Sequence, residues 1–280
     1  MEGVAGRQGA TQGFATAGRH GTGSLDRRGY VRWERDRALG LGGGYVVGHS
    51  GGVDPKRSPD GSRSGVGRRS HRAAGQPATE LGAAGVDRRL AVARAGHLGD
   101  ATAAEAALGD TDGSVRATAL GALDRLEALT DDHLRMASGD PDPQVRRRAC
   151  ELAAGRPRVS LVALLADADS TVVEAAAWAL GEQAAAGAIE ALSHVAERDS
   201  GHRDPLCREA AVAALGAIGD PAGLPAVLAA LDDKPAIRRR AATALAAFDG
   251  PEVTAALRRC LEDRDWQVRQ VAEDLLADPG

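Results

Sequence analysis

His194, Asp199 and His202, followed by Cys207, come nearest in this 280-residue chain to a set of side chains that could do chemistry. Imidazole, carboxylate and thiolate converging on one point would hold zinc or iron. Their spacing matches no defined ligand pattern, and the stretch Glu197-Arg-Asp-Ser-Gly-His202-Arg-Asp204 reads as well as a polar loop insertion. No metal and no cofactor are therefore expected. Cys150, Cys207 and Cys260 stand at least 53 residues apart with no CxxC pair, so neither a disulfide framework nor a zinc knuckle is indicated and buried thiols are expected. His97 and His133 stand alone and read as surface or turn residues. No group of residues assembles into a catalytic set.

The chemistry that does recur is an acid followed four residues later by arginine. Asp112-Gly-Ser-Val115-Arg116-Ala-Thr-Ala119 returns as Asp142-Pro-Gln-Val145-Arg146, Asp169-Ser-Thr-Val172-Val173, Asp204-Pro-Leu-Cys207-Arg208, Lys234-Pro-Ala-Ile237-Arg238 and Asp265-Trp-Gln-Val268-Arg269, with a degenerate first copy at Asp87-Arg88-Arg89. Taking the apolar residue as anchor, the copies begin at 87, 115, 145, 172, 207, 237 and 268. Spacings between 27 and 35 residues are those of stacked helix pairs. Acid first and arginine four later is the favourable order for an ion pair along one helix, so Asp112–Arg116, Asp142–Arg146, Asp204–Arg208 and Asp265–Arg269 are expected as such pairs. Val173 and Lys234 break the rule, and surface function is expected to differ there.

The elements that carry this phrase follow from spacing. Apolar or small residues stand at the anchor, four later and eight later, as in Val115, Ala119, Leu123 and Val172, Ala176, Leu180, which is one face of an α-helix. The Asp three before the anchor sits where a carboxylate caps the first turn, and Pro143 and Pro205 occupy the first helical position, where a missing N–H costs nothing. Partner helices are expected over 101–108, 159–165, 188–196, 224–231 and 253–261. Leu98-Gly99-Asp100 and Ile218-Gly219-Asp220-Pro221 read as left-handed C-terminal caps.

Composition divides the chain. Residues 1–80 hold 19 of the 36 glycines and 13 Lys/Arg against 7 Asp/Glu, whereas the remainder carries 22 against 32. The first 80 residues show no period and too little apolar surface to offset ordering entropy, so they are expected as a disordered Gly/Arg-rich arm, with the solenoid over 81–280. Arg63, Arg68, Arg69 and Arg72 could serve as a basic tail for an anionic surface or belong to a plain extension. No run approaches a membrane span, no apolar signal segment is present, and the twin arginines lack a following apolar stretch, so a cytoplasmic protein without membrane contact is expected. Scarce lysine with abundant Ala, Gly, Arg and Asp fits a GC-rich genome.

The pattern Asp-x-x-Val-Arg-x-x-Ala-x-x-x-Leu-Gly-x-Ile-Gly-Asp, most complete from Asp204 to Asp220, resembles the short HEAT-like repeat of phycobilisome bilin lyases, widespread in bacterial repeat proteins. The resemblance runs from about residue 85 to 278 and implies an all-α, right-handed α-α superhelix of about six to seven helix pairs. It also implies that the second helices line the concave side. The residue two after each anchor then floors a groove: Arg89, Ala117, Arg147, Glu174, Glu209, Arg239 and Gln270. A phosphate-tracking groove should be uniformly basic, and this column is not. The mixture fits a protein partner, with solvated helix surface as the alternative. Trp178, six after its anchor, is either an interface anchor or an inter-helix packing residue.

The expected partner-binding set is Arg147, Glu174, Trp178, Glu209 and Arg239, in a non-catalytic scaffold that binds a protein partner and no nucleic acid. The alternative is an enzyme of bilin lyase type or another HEAT-repeat enzyme, by resemblance only. HEAT-like deoxyhypusine hydroxylases carry His-Glu pairs for a di-iron centre, and this chain has no His-Glu dipeptide. HEAT-like DNA glycosylases use a basic, aromatic-lined groove, at odds with an acidic body whose aromatics are Trp178, Phe248 and Trp266.

Overall fold

A computed structural model describes residues 23–25, 31–33 and 77–277, with side chains from residue 84 onward. The chain divides into two units, Met1–Arg69 and Ser70–Gly280. In the first, β1 (Gly23–Leu25) pairs antiparallel with β2 (Val31–Trp33), Gly23 opposite Trp33 and Leu25 opposite Val31. No strand was expected there. The signal is the β-branched and aromatic run Val31-Arg-Trp33, too short to show a period. The rest of the arm, and with it the expectation of disorder, lies outside the described residues.

The second unit is an all-α solenoid. Its helices are α1 (Pro77–Leu98), α2 (Ala101–Ala106), α3 (Gly113–Arg125), α4 (Asp131–Ser138), α5 (Pro143–Ala153) and α6 (Ser170–Glu182). There follow α7 (Ile189–Ala196), α8 (Pro205–Ile218), α9 (Leu224–Ala230), α10 (Pro235–Ala244), α11 (Pro251–Cys260) and α12 (Trp266–Ala277). The repeated phrases form α1, α3, α5, α6, α8, α10 and α12, which pack each on the next as one layer. The other layer is α2, α4, α7, α9 and α11, with a 3-10 helix, Val162–Ala166, where a full α-helix was expected over 159–165. Val159 and Leu161 are buried there while their backbone stays non-helical. The helix α4 was not anticipated, since only Leu134 and Ala137 bury on it and Met136 faces water.

Helix starts follow the sequence closely. The Oδ1 atoms of Asp112, Asp142, Asp169, Asp204 and Asp265 accept the backbone N–H of Ser114, Gln144, Thr171, Leu206 and Gln267 at 2.8–3.0 Å. Lys234 supplies no side-chain cap, and Pro235 opens α10 instead. Gly99 and Gly219 close α1 and α8 with φ of 85° and 66°, the left-handed turn that a side chain resists.

The ion pairs differ from expectation. The arginine after each anchor does not turn back to the Asp four residues earlier; it forks forward onto an Asp of the following repeat. Arg116 donates Nε and Nη2 to Asp140 at 2.8 and 2.6 Å, and Arg146 to Asp167 at 2.7 and 2.8 Å. Arg88 forks onto Asp110, Arg208 onto Asp233 and Arg238 onto Asp263 in the same way. The third nitrogen, Nη1, reaches back to a main-chain carbonyl at the repeat's own turn, Asp110 for Arg116 and Asp140 for Arg146. The cap Asp is occupied by backbone N–H groups, so the arginine uses its bidentate geometry where an unclaimed carboxylate faces it. In α12, Arg269 keeps the carbonyl bond, to Asp263 at 2.7 Å.

Beside buried leucines and valines, neighbouring helices meet through small residues. Ala119, Ala149, Ala176, Ala211, Ala241 and Ala272, each four after its anchor, are wholly buried. Helices approach so closely that a Cβ at Gly181 would lie 3.0 Å from the Ala214 Cα. Ala149→Leu should therefore overpack the stack and lower the unfolding free energy by about 1–3 kcal/mol, read from a denaturant midpoint. Asp233→Ala strands the buried Arg208 guanidinium and should cost about 3–5 kcal/mol in the same measurement. Arg88→Ala, at the exposed rung, should cost measurably less.

Candidate partner-binding groove

The helices α3, α5, α6, α8, α10 and α12 touch neighbour to neighbour along the whole stack, whereas contacts along the other layer are sparser. The repeated phrases therefore form the continuous layer of the stack. Successive helices there contribute Arg147 (α5), Glu174 and Trp178 (α6), Glu209 (α8) and Arg239 (α10). Arg147 lies 3.4 Å from Glu151, Glu209 lies 3.3 Å from Arg240, and Arg239 lies 3.7 Å from the cap residue Asp265. Glu174 is half-buried and meets no cation at ion-pair distance among the described residues. Trp178 is 37% exposed, so much of its ring packs and one part meets solvent.

The sequence of these helices is matched by a family model for HEAT repeats over residues 130–203 and 199–277. The chain belongs to the HEAT-repeat family. No curated protein matches it. Among solved structures, one engineered protein is similar at 22% identity and a TM-score of 0.51, covering 64% of this chain and 97% of that one. A second engineered protein is similar at 21% identity and a TM-score of 0.50, covering 64% and 95%. The complex of CpcE and CpcF of phycocyanin lyase from Nostoc sp. PCC7120 shows 25% identity and a TM-score of 0.47, covering 61% and 74%. At this identity the engineered proteins share the fold of the HEAT stack. No described helix is long and apolar enough to cross a membrane.

The HEAT ladder has one missing rung, and it adjoins Glu174. Val173 stands where the arginine should be and is wholly buried, so it is a packing residue rather than the altered surface expected from sequence. Opposite it, the position that holds Asp in other turns holds His202, whose Nδ1 accepts the backbone N–H of Asp204 at 3.1 Å. Both members of the rung are replaced together. Lys234, the other exception, is exposed, and its backbone N–H bonds to the ladder residue Asp233 at 2.6 Å.

The loop around His202 thus has a structural use. His194 lies 3.6 Å from Glu197, its neighbour one helical turn on. Among the described residues no three His, Cys, Asp or Glu side chains are placed to hold a metal ion. Burial pushes the Cys150 and Cys207 thiols up to about 12, which keeps them protonated and unreactive. His133, expected as an isolated surface residue, closes a capping box with Thr130 and bonds through Nε2 to Glu105 at 3.0 Å, tying α4 to α2.

The electrostatics of ladder and groove oppose each other. Hydrogen bonds from Arg88, Arg146 and Arg238 hold the carboxyls of Asp110, Asp167 and Asp263 below the usual range. Burial raises Glu174, helped by the charges of Asp204 and Glu209, with Arg147 opposing. A carboxyl lowered on folding stabilises the protein above its unfolded pKa of about 4 and loses that contribution as pH falls through the folded value. Unfolding free energy should accordingly fall steeply below about pH 4. Arg146→Met should flatten that part of the profile, measured by urea unfolding across the acid range.

Proposed function

We propose that this HEAT stack is a non-catalytic scaffold that binds a protein partner along its continuous layer, through Arg147, Glu174, Trp178, Glu209 and Arg239. The observation that carries the reading is Trp178: a large aromatic left partly open in the middle of the helix layer and flanked by the charged residues of the column. Binding energy at protein interfaces concentrates on such aromatics, ringed by polar groups that exclude water. The column around it runs Arg147, Glu174, Glu209, Arg239, positive then negative then positive, a pattern that selects a complementary charged surface rather than a uniform polyanion. The apolar core beneath is continuous, so surface substitutions there leave the stack intact.

The experiment uses the full chain as bait, identifies the captured protein by cross-linking, and measures its affinity for variants. Trp178→Ala should weaken binding by at least ~2 kcal/mol with the helical signal and unfolding midpoint little changed. Reversing Glu174 and Glu209 to Lys should change the association rate and its salt dependence more than a neutral substitution does. Arg258→Ala and Arg259→Ala, exposed on α11 in the other layer, should change neither. A partner that binds the Trp178→Ala variant with wild-type affinity places the interface elsewhere.

A further inference from the structure

Glu174 and Trp178 stand four residues apart on α6, which makes them neighbours on one helix face. Three other carboxylates near the column are already matched. Glu151 is shared by Arg147 and Arg148 at 3.4 and 2.9 Å, Glu209 is taken by Arg240 at 3.3 Å, and Asp265 by Arg239 at 3.7 Å. Arg147, whose charge reaches Glu174, is itself paired with Glu151. A half-buried carboxylate next to a partly open indole, with no cation at ion-pair distance among the described residues, is one half of a cation-binding arrangement.

We propose that the Glu174–Trp178 pair receives a lysine or arginine side chain of the partner, its charge on the Glu174 carboxylate and its stem or guanidinium plane along the Trp178 ring. This rests on the groove reading above and names the chemistry of what enters. An anion is disfavoured by Glu174, Asp204 and Glu209 together. A metal ion lacks the ligands, since among the described residues no cluster of three donors forms and indole does not ligate. A neutral apolar group would cover the Glu174 carboxylate and strand it, which a cation avoids. Cations favour the faces of tryptophan rings, and more so once water is displaced.

The arrangement carries a signature that a solvated surface glutamate lacks. Burial holds the Glu174 carboxyl above its ordinary range, so its charge at neutral pH opposes folding, and that cost is relieved as pH falls through the raised value. Replacing the charge should therefore stabilise the protein while removing the binding feature.

The test uses the full chain and two fluorescein-labelled peptides at physiological salt, one alternating lysine with serine and one with glutamate in place of lysine. Saturable binding of the lysine peptide alone is expected. Glu174→Gln should weaken it at least about tenfold, and Trp178→Leu at least about fivefold. Glu174→Gln should also raise the thermal midpoint at neutral pH, whereas Glu209→Gln, which frees Arg240, should not. Wild-type affinity of Glu174→Gln for the lysine peptide, equal binding of both peptides, or an unchanged or lowered midpoint of Glu174→Gln overturns the proposal. A captured native partner that needs Trp178 but ignores Glu174→Gln removes the cation slot and leaves the groove reading standing. A lysine peptide that needs both residues, while the native partner ignores Trp178→Ala, keeps the slot and removes the groove reading.

Discussion

Where the rung is present, one arginine fastens a repeat to the next with three hydrogen bonds at once. Its Nε and Nη2 grip a carboxylate in the following turn, and its Nη1 holds a carbonyl of its own turn. The same Asp accepts a backbone N–H two residues on, as Asp140 does from Asp142 and Asp263 from Asp265. The carboxylate thereby shapes the turn that positions the cap, and the cap starts the helix that carries the next arginine. Stack geometry thus propagates from rung to rung through a bidentate contact with little angular freedom. Alanine at the fourth position then lets the helices close to a distance at which the fork is in reach.

This explains why the break at Val173 matters more than one lost ion pair. A lone valine opposite an intact Asp would leave a carboxylate unpaired in a partly buried turn, at considerable cost. His202 removes the carboxylate and keeps the turn, because its Nδ1 accepts the N–H that the Asp would have accepted. The pair α6 and α8 stays closely packed, with Val173 and Cys207 wholly buried between them. What changes is the electrostatics of the surface above. There Glu174 has Asp204 and Glu209 as near neighbours, with Arg147 to ease it.

Much of this was legible in the sequence, and the misses have physical reasons. Period, caps and buried alanines follow from rules local to one helix, so Asp142, Pro143, Val145 and Ala149 declare their places without tertiary information. The ladder did not, because a helix offers arginine a partner four residues back as plausibly as the fold offers one more than twenty residues on. The decisive signal was present: Asp110-Thr-Asp112, Asp140-Pro-Asp142, Asp167-Ala-Asp169 and Asp263-Arg-Asp265 place two acids two residues apart before four of the helices. One of them caps and the other is left for the next arginine. The pairing of Thr130 with His133 likewise announced α4, but by side chains at the first turn rather than by an apolar stripe.

The groove column was readable as a register position, since two after the anchor is fixed by helix geometry, but its energetics were not. Alternating signs along Arg147, Glu174, Glu209 and Arg239 look alike on paper. In the structure three of the four are spoken for by Glu151, Arg240 and Asp265. Glu174 alone lacks such a partner among the described residues, and it lies beside the exposed aromatic and the interrupted rung. A charge that opposes folding and is only partly eased by Arg147 is a different object from one held in a pair, although both are written as a single letter. Stability and recognition pull apart at that residue, and a protein partner that supplies the missing cation would recover on binding what the isolated stack forgoes on folding.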